Sequence, residues 1–272
     1  MNERDPFPRQ QLRQPRLAEM VAAALRKRIV AGEIEDGGML PKQEDLMAEF
    51  GISLPPMREA LRILETEGLI TVRRGNTGGA VVHRPQPGKA AYMLGLVLQS
   101  REVQLTDVLS ALRQLEPVCA AACAAREDRA DNVLPRLRAT LDAAEAALED
   151  GTEYTRQARQ FHSDLVASCG NETMILVVGA LESLWSAHVD QLGWGRSQLG
   201  SFADIEVRRM SMKDHDRLYR CIADGNVRGA EKAVREHLSE KAHVLDDKGW
   251  QHAFDTSSVV DASVIRDSRE DI

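Results

Sequence analysis

The chain has 272 residues, with 35 Lys and Arg against 42 Asp and Glu and a formal net charge of −7. This length favours two domains. Aromatic residues make up only 4%, which favours packed helices over a β-sandwich. The negative charge argues against indiscriminate binding to nucleic acid. However, residues 1–85 hold 13 Lys and Arg against 12 Asp and Glu, whereas the rest holds 22 against 30. A polyanion is therefore expected to dock on the N-terminal part.

The first segment, residues 1–14, is polar and rich in Arg, Gln and Pro. It lacks the apolar core of a signal peptide and is expected to form a flexible arm. The four cysteines lie in apolar helical contexts without the spacing of a metal motif. We therefore expect buried free thiols in a protein of the reducing cytoplasm, with no attachment to a membrane.

Residues 15–84 carry the pattern of a winged helix-turn-helix. Apolar residues at helical spacing predict three helices, of which the second is opened by Pro41 and the third, 55–67, is capped by Ser53. Alternating apolar residues then flank a glycine-rich turn at 75–79, which predicts a β-hairpin. Three helices followed by such a hairpin form a DNA-binding domain.

The second helix of a helix-turn-helix places its first residues in the major groove. Arg58 lies in that first turn and can bind guanine through two donors or hold a phosphate. The glycines of the hairpin let its basic tip approach the duplex closely. The alternative is that Arg58 and Arg62 form solvated ion pairs with Glu59 and Glu65. The predicted DNA contacts are Lys42, Ser53, Arg58, Arg62, Arg73, Arg74, Gly75 and Asn76.

Three segments of this domain, LPKQEDLMAEFGIS, MREALRILETEGLI and VRRGNTGGAVV, resemble the GntR family of bacterial transcription regulators. The resemblance implies that Arg58 is the family's recognition-helix arginine and that Arg74 and Gly75 are its wing-tip contacts. Leu54 stands where the family commonly has arginine, and Glu44 where it often has a basic residue. Leu54 cannot hydrogen-bond to a base edge, although it can touch a thymine methyl group.

Beyond a linker at 85–89, residues 90–248 show helical periodicity and no strand pattern, so we predict an all-α bundle. The polar tail, 249–272, is expected to be flexible. The helices are predicted at about 90–100, 105–126, 130–149, 152–168, 171–192, 204–224 and 226–247.

Three of these helices carry one histidine each, at His162, His215 and His237. Histidines that are distant in sequence can converge in a bundle core. Three neutral imidazoles with an open fourth position form a zinc site of the catalytic type. The alternative is that the histidines lie at the surface or are hydrogen-bonded in the core.

Several motifs of this region resemble the FCD ligand-binding domain, the effector domain of the FadR subfamily of GntR regulators. They are Arg113-Gln114-Leu115-Glu116, Phe161-His162, Ser168-Cys169-Gly170-Asn171, Ala223-Asp224-Gly225-Asn226 and His237-Leu238. The resemblance implies a divalent metal, such as zinc, on His162, His215 and His237. The family's fourth ligand, an Asp one turn before the first histidine, is Ala158 here, so a charge that favours a dication is missing. A metal-free pocket lined by the histidines is the alternative.

Arg113 matches an arginine of the family that commonly faces the effector pocket, which implies pairing with a carboxylate or phosphate of the ligand. A salt bridge to Glu116, three residues on, is the alternative. The predicted effector-binding residues are Arg113, His162, His215 and His237, and the predicted effector is a small organic acid or an acyl derivative.

Together these features predict a dimeric, effector-responsive transcription regulator, expected to be a repressor, that binds a palindromic operator. Effector binding in the C-terminal domain would release or alter DNA binding. We predict no catalytic residues. One alternative is a DNA-binding dimer without an effector, and another is a zinc hydrolase built on the three histidines. A hydrolase needs a general base beside the metal-bound water, and the sequence has no HExxH-type spacing to supply one.

Overall fold

The structure, a computed structural model, describes residues 17–73, 79–191 and 204–246. The chain divides into two compact units, Met1–Gln86 and Pro87–Ile272. The predicted flexible arm, 1–14, and the predicted tail, 249–272, lie outside the described residues.

The N-terminal unit has three helices and a two-stranded hairpin, so the predicted winged-helix fold is confirmed. Its elements are α1 (Leu17–Ala31), α2 (Gln43–Phe50), α3 (Leu54–Thr66), β1 (Ile70–Arg73) and β2 (Gly79–Val82). The strands are antiparallel, with Ile70 opposite Val82 and Arg73 opposite Gly79. The buried apolar residues of α1 and α3 recur at helical spacing, so each helix has one apolar face. These two faces pack together with β2 to form the core.

The turn between α2 and α3 sets the position of the recognition helix. Gly51 ends α2 with a φ of 63°, in the left-handed region that glycine adopts without strain. Ser53 occupies the N-cap position of α3 in an extended conformation, but its side chain makes no capping hydrogen bond. Ser53 is an exposed residue, so its uncommitted hydroxyl is available to a ligand. Pro55 and Pro56 follow in the first turn, where a helix needs no N–H donor.

The C-terminal unit is all-α, as predicted. Its described helices are α4 (Pro87–Ser100), α5 (Leu105–Ala125), α6 (Arg129–Asn132), α7 (Leu134–Ala146), α8 (Gly151–Ala167), α9 (Glu172–Gln191), α10 (Ile205–Ala223) and α11 (Val227–Asp246). The helix predicted over 130–149 is divided into α6 and α7 because Val133 leaves the helical conformation, with φ −120° and ψ −55°. Pro135 has no N–H to continue α6 and lies in the first turn of α7. α4 begins at Pro87, inside the segment predicted as a linker.

Helix α5 is the centre of this unit and packs against α8, α9, α10 and α11. Its Leu112, Ala120 and Cys123 are fully buried with residues of the neighbouring helices. Among the described residues it is the one helix with the length and hydropathy to cross a membrane, and half of the apolar stretch is buried inside the unit. That composition is typical of a core helix as well.

Three cysteines are buried in this core. Cys119, Cys123 and Cys169 are free and inaccessible, whereas Cys221 is only partly buried. Burial raises the pKa of the Cys123 thiol to about 12 and also raises the pKa of Cys119. The prediction of free, buried thiols is confirmed for three of the four.

Native protein treated with a chromogenic disulfide reagent at about pH 8 should react first at Cys221, because the other three thiols are buried away from the reagent and the raised pKa values of Cys119 and Cys123 also disfavour their thiolates. Cys119, Cys123 and Cys169 should react only when the protein is unfolded in guanidinium. The absorbance of the released thiol measures both phases. Cys221→Ser should remove the fast phase, and a fast phase that persists in this variant would contradict the burial of the other three.

Candidate DNA interface and metal centre

The described residues that were predicted to contact DNA lie between positions 42 and 73 of the N-terminal unit. Lys42 precedes α2, Ser53 precedes α3, Arg58 and Arg62 lie on α3, and Arg73 ends β1. All five are exposed. The other predicted contacts, Arg74, Gly75 and Asn76, lie outside the described residues.

Arg58 is a cation with no acidic partner in the described part of the chain. Arg62 lies 3.8 Å from the Glu59 carboxylate, and both side chains are largely exposed. The Glu65 carboxylate instead accepts a hydrogen bond from the backbone N–H of Val72. The alternative pairs Arg58–Glu59 and Arg62–Glu65 therefore do not form among the described residues.

The arginines of α1, in contrast, are already paired. Arg26 donates two hydrogen bonds to Glu67, at 2.8 and 2.5 Å. Arg28 lies 3.1 Å from both Glu33 and Glu49. These carboxylates neutralise the arginines of α1, so the exposed cations left for a phosphate backbone include Lys27 and Lys42 as well as Arg58 on α3 and Arg73 at the end of β1.

The three predicted histidines come together in the C-terminal unit. His162 lies on α8, His215 on α10 and His237 on α11. His215 Nε2 lies 3.2 Å from His162 Nε2 and 3.1 Å from His237 Nε2. All three residues are at most 5% exposed, so this three-histidine centre is shielded from bulk water.

Two carboxylates bind the outer nitrogens of the centre. Glu116 of α5 is hydrogen-bonded to His162 Nδ1, and Asp214 Oδ2 lies 3.2 Å from His237 Nδ1. An ionised carboxylate can only accept, so beside ionised Glu116 and Asp214 each Nδ1 carries a proton, and a neutral ring then presents its Nε2 lone pair to the centre. Such partners orient histidine ligands and increase their basicity.

The sequence predictions did not include these two carboxylates. Glu116 was considered only as a partner of Arg113, and its burial within the apolar helix α5 follows from packing against α8. Asp214 precedes His215 in Lys-Asp-His-Asp, a run that resembles an exposed polar surface. The available signal was the presence of an acidic residue at a core position of α5, which requires a polar partner.

Aromatic packing fixes the third histidine. The Phe161 ring stacks on His215 with centroids 4.6 Å apart and an interplanar angle of 18°. Phe161 is fully buried next to His162 on α8, so one helix supplies both a member of the centre and the support of a second. Ala158, one turn before His162, is buried and offers only a methyl group.

Arg113 is hydrogen-bonded to α11 and not to Glu116. Its Nη2 donates to Ser239 Oγ at 3.0 Å, linking α5 to α11. Within the described residues Arg113 forms no salt bridge to Glu116, so that alternative is wrong. Arg113 is half-buried.

The three-histidine centre has the donor chemistry and spacing of a divalent metal site. In tetrahedral zinc sites the nitrogen ligands lie about 2.0–2.1 Å from the metal, which places them roughly 3.3 Å apart. The two measured Nε2 separations are close to that value. A single N–H on His215 can satisfy only one of the other two lone pairs, whereas a cation satisfies all three at once.

Comparison with known proteins identifies both units. Residues 17–81 match the family described as bacterial regulatory proteins, gntR family, and residues 107–240 match the FCD domain. The chain is 26% identical over 244 residues to the HTH-type transcriptional repressor NanR of Klebsiella aerogenes, covering 85% of each protein. It is 27% identical over 245 residues to NanR of Cronobacter sakazakii, covering 85% of this chain and 86% of that one.

The fold is also similar to a solved structure. Streptococcus agalactiae GntR superposes with a TM-score of 0.61 at 22% identity, covering 83% of this chain and 99% of that chain. The relatives with curated descriptions are repressors, which sets aside the zinc hydrolase considered from the sequence. The chain belongs to the gntR family of bacterial regulatory proteins, with an FCD domain after its winged helix, and it is a transcription regulator and not an enzyme.

Proposed function

We propose that this chain is an effector-responsive repressor of the FadR subfamily that binds a palindromic operator as a homodimer. The DNA-binding part of the proposal rests on Arg58, which is an exposed cation near the start of α3 and has no acidic partner among the described residues. The relatives support the direction of control, since they are named as repressors. The effector half is supported by the FCD match and the buried three-histidine centre.

In this proposal α3 enters the major groove with Arg58 at a guanine edge. Lys42, Ser53, Arg62 and Arg73 contact phosphates, which fixes the register of the helix on the duplex. Arg74, Gly75 and Asn76 extend this contact at the wing tip, as expected from the sequence. Leu54, exposed at the beginning of α3, contacts a thymine methyl group.

Exposed apolar residues of the C-terminal unit support a dimer. Met93 and Val97 lie one turn apart on α4, and Leu176 and Val177 lie on α9, which packs against α4. Monomeric proteins seldom expose apolar surface of this kind without a use for it. A second copy of the chain would cover these side chains and present two winged helices to two half-sites.

The three-histidine centre is proposed to hold a divalent metal, with zinc suited to its imidazole ligands. Glu116 and Asp214 hold two of the rings in the ligating orientation. The metal would supply an open coordination position for an oxygen of an organic acid or acyl effector. Arg113, His162, His215 and His237 then line the effector site. These buried imidazoles favour an effector domain over one that serves dimerisation alone.

Arg58→Ala should weaken binding to duplexes that the wild-type protein selects from a random pool by about 10- to 100-fold at fixed salt, because one specific base contact is lost. Fluorescence anisotropy of labelled duplex measures the dissociation constant. Arg156→Ala is the matched control, since it removes an exposed arginine from α8, and its affinity should stay unchanged. Equal affinity of wild type and Arg58→Ala would show that the recognition residue is wrongly assigned.

Metal-stripped protein should take up one zinc ion per chain in competition with a chromophoric chelator. His215→Ala should abolish this uptake, whereas Glu116→Gln should weaken it by about 10- to 100-fold because the ligand's supporting hydrogen bond changes. His83→Ala removes an imidazole from the N-terminal unit and should have no effect. Unchanged zinc uptake by His215→Ala would rule out the three-histidine site.

Met93→Asp should convert the dimer to a monomer in sedimentation velocity, because an ionised carboxylate is costly to bury in an apolar interface. Met210→Asp is the control, since Met93 and Met210 are 58% and 59% exposed and lie on different helices. Met210→Asp should remain dimeric. A dimeric Met93→Asp or a monomeric wild type would each contradict the proposed interface.

A further inference from the structure

Arg208, near the start of α10, is a buried cation without a counter-charge in the described part of the chain. Its side chain is only 6% exposed, and its Nε is buried without a hydrogen-bond partner. Removing a guanidinium from water is costly unless it is paired. Arginine is also the side chain best suited to bind a carboxylate or phosphate through two parallel hydrogen bonds. An anion from outside the protein would therefore satisfy this group.

Arg208 lies on the same face of α10 as the three-histidine centre. Arg208, Ser211 and His215 are spaced by three and four residues, and all three are buried. An α-helix rises 1.5 Å per residue, so the seven residues from Arg208 to His215 span about 10 Å. The Ser211 hydroxyl, between them, is buried and close enough to the Tyr154 hydroxyl to lower its pKa, but it makes no hydrogen bond of good geometry.

Helix α8 presents a matching face to these residues. Tyr154, Ala158 and His162 are each one turn apart and buried. The Tyr154 hydroxyl donates to the backbone carbonyl of Arg208 at 2.9 Å. This bond uses only the backbone carbonyl at position 208, so it does not explain why the buried side chain at this position is an arginine. Between Tyr154 and His162, Ala158 occupies little volume.

The charges of Arg208 and Asp214 both act on the Tyr154 hydroxyl. Burial is the main reason that the pKa of Tyr154 is raised to about 12, while Ser211 and the positive charge of Arg208 lower it and the negative charge of Asp214 raises it. Arg208 and Asp214 therefore both lie near the same hydroxyl. Asp214 is also the hydrogen-bond partner of His237.

We propose that Arg208 and Ser211 form an anion-binding subsite beside the three-histidine centre, and that the effector is an acid with two anionic groups. One group lies at the histidines and the other forms a two-donor hydrogen bond with the Arg208 guanidinium, with Ser211 donating to it. The helix rise separates the Arg208 and His215 backbones by about 10 Å, so we expect the two anionic groups of the ligand to be separated by a distance of that order. This inference rests on the proposed effector-binding function and specifies the class of its ligand.

The test compares Arg208→Met with Arg209→Met in full-length, zinc-treated protein. Arg209 is the next residue of α10, is exposed and pairs with Glu206, so its loss removes the same charge from the surface. Calorimetric titrations use the dicarboxylates succinate, adipate and suberate and the monocarboxylates butyrate, hexanoate and octanoate. Wild type and Arg209→Met should bind one dicarboxylate at least about 10-fold more tightly than the monocarboxylate of equal length. Arg208→Met should lose this preference, and Ser211→Ala should reduce it.

A second measurement separates this inference from the metal proposal. Sulfate should raise the unfolding temperature of metal-stripped wild type and Arg209→Met more than that of Arg208→Met, because the subsite binds an anion without the metal. If zinc uptake fails but this difference is found, the anion subsite stands and the metal proposal falls. Arg208→Lys, which keeps the charge and loses the two-donor geometry, replaces Arg208→Met if the latter does not fold. Equal sulfate responses, or no preference of wild type for any dicarboxylate, overturn the inference.

Discussion

The hydrogen bond between Glu116 and His162 is the interaction on which the C-terminal site depends. Glu116 is fully buried within an apolar helix, and an isolated carboxylate there would be strongly destabilising. The imidazole provides the donor that makes its burial tolerable, and the carboxylate in turn decides which ring nitrogen faces inward. α5, the central helix, thereby determines the chemistry at the junction of α8, α10 and α11 without contributing a member of the three-histidine centre.

The charged groups that matter for binding are exposed in the N-terminal unit and buried in the C-terminal unit. In the N-terminal unit, ion pairs neutralise the arginines of α1, while Arg58 is exposed and has no acidic partner among the described residues. Charge on this surface is concentrated where a phosphate or a base edge can reach it. In the C-terminal unit, the polar groups of the site are buried, so each one has to be satisfied by a defined partner or by a ligand. An exposed charge can contact a large polyanion, whereas a buried charge can be reached only by a small ligand that the surrounding helices enclose.

The elements that depend on local patterns were predictable from the sequence. The winged helix follows from Gly51, the Pro residues of α3 and the alternation of the strands, and the three histidines stand out by residue type. What could not be predicted depends on which helix faces lie inward. Glu116 binds a histidine 46 residues away, and Arg208 lies in a polar run that suggests an exposed helix. Neither spacing nor composition distinguishes these residues from surface charges, since burial is decided by packing between distant helices.

Two neighbouring residues of α10, Asp214 and His215, have different roles in the three-histidine centre. His215 is itself one of the three imidazoles, while Asp214 supports the imidazole of His237 on α11. Successive residues of an α-helix point about 100° apart, so a rotation of α10 about its axis displaces one imidazole and the support of another together. The position of His215 and the support of His237 are therefore coupled through the orientation of one helix. An axial rotation of α10 would thus alter two of the three imidazoles together, whereas a movement of α8 would displace His162 with its neighbour Phe161.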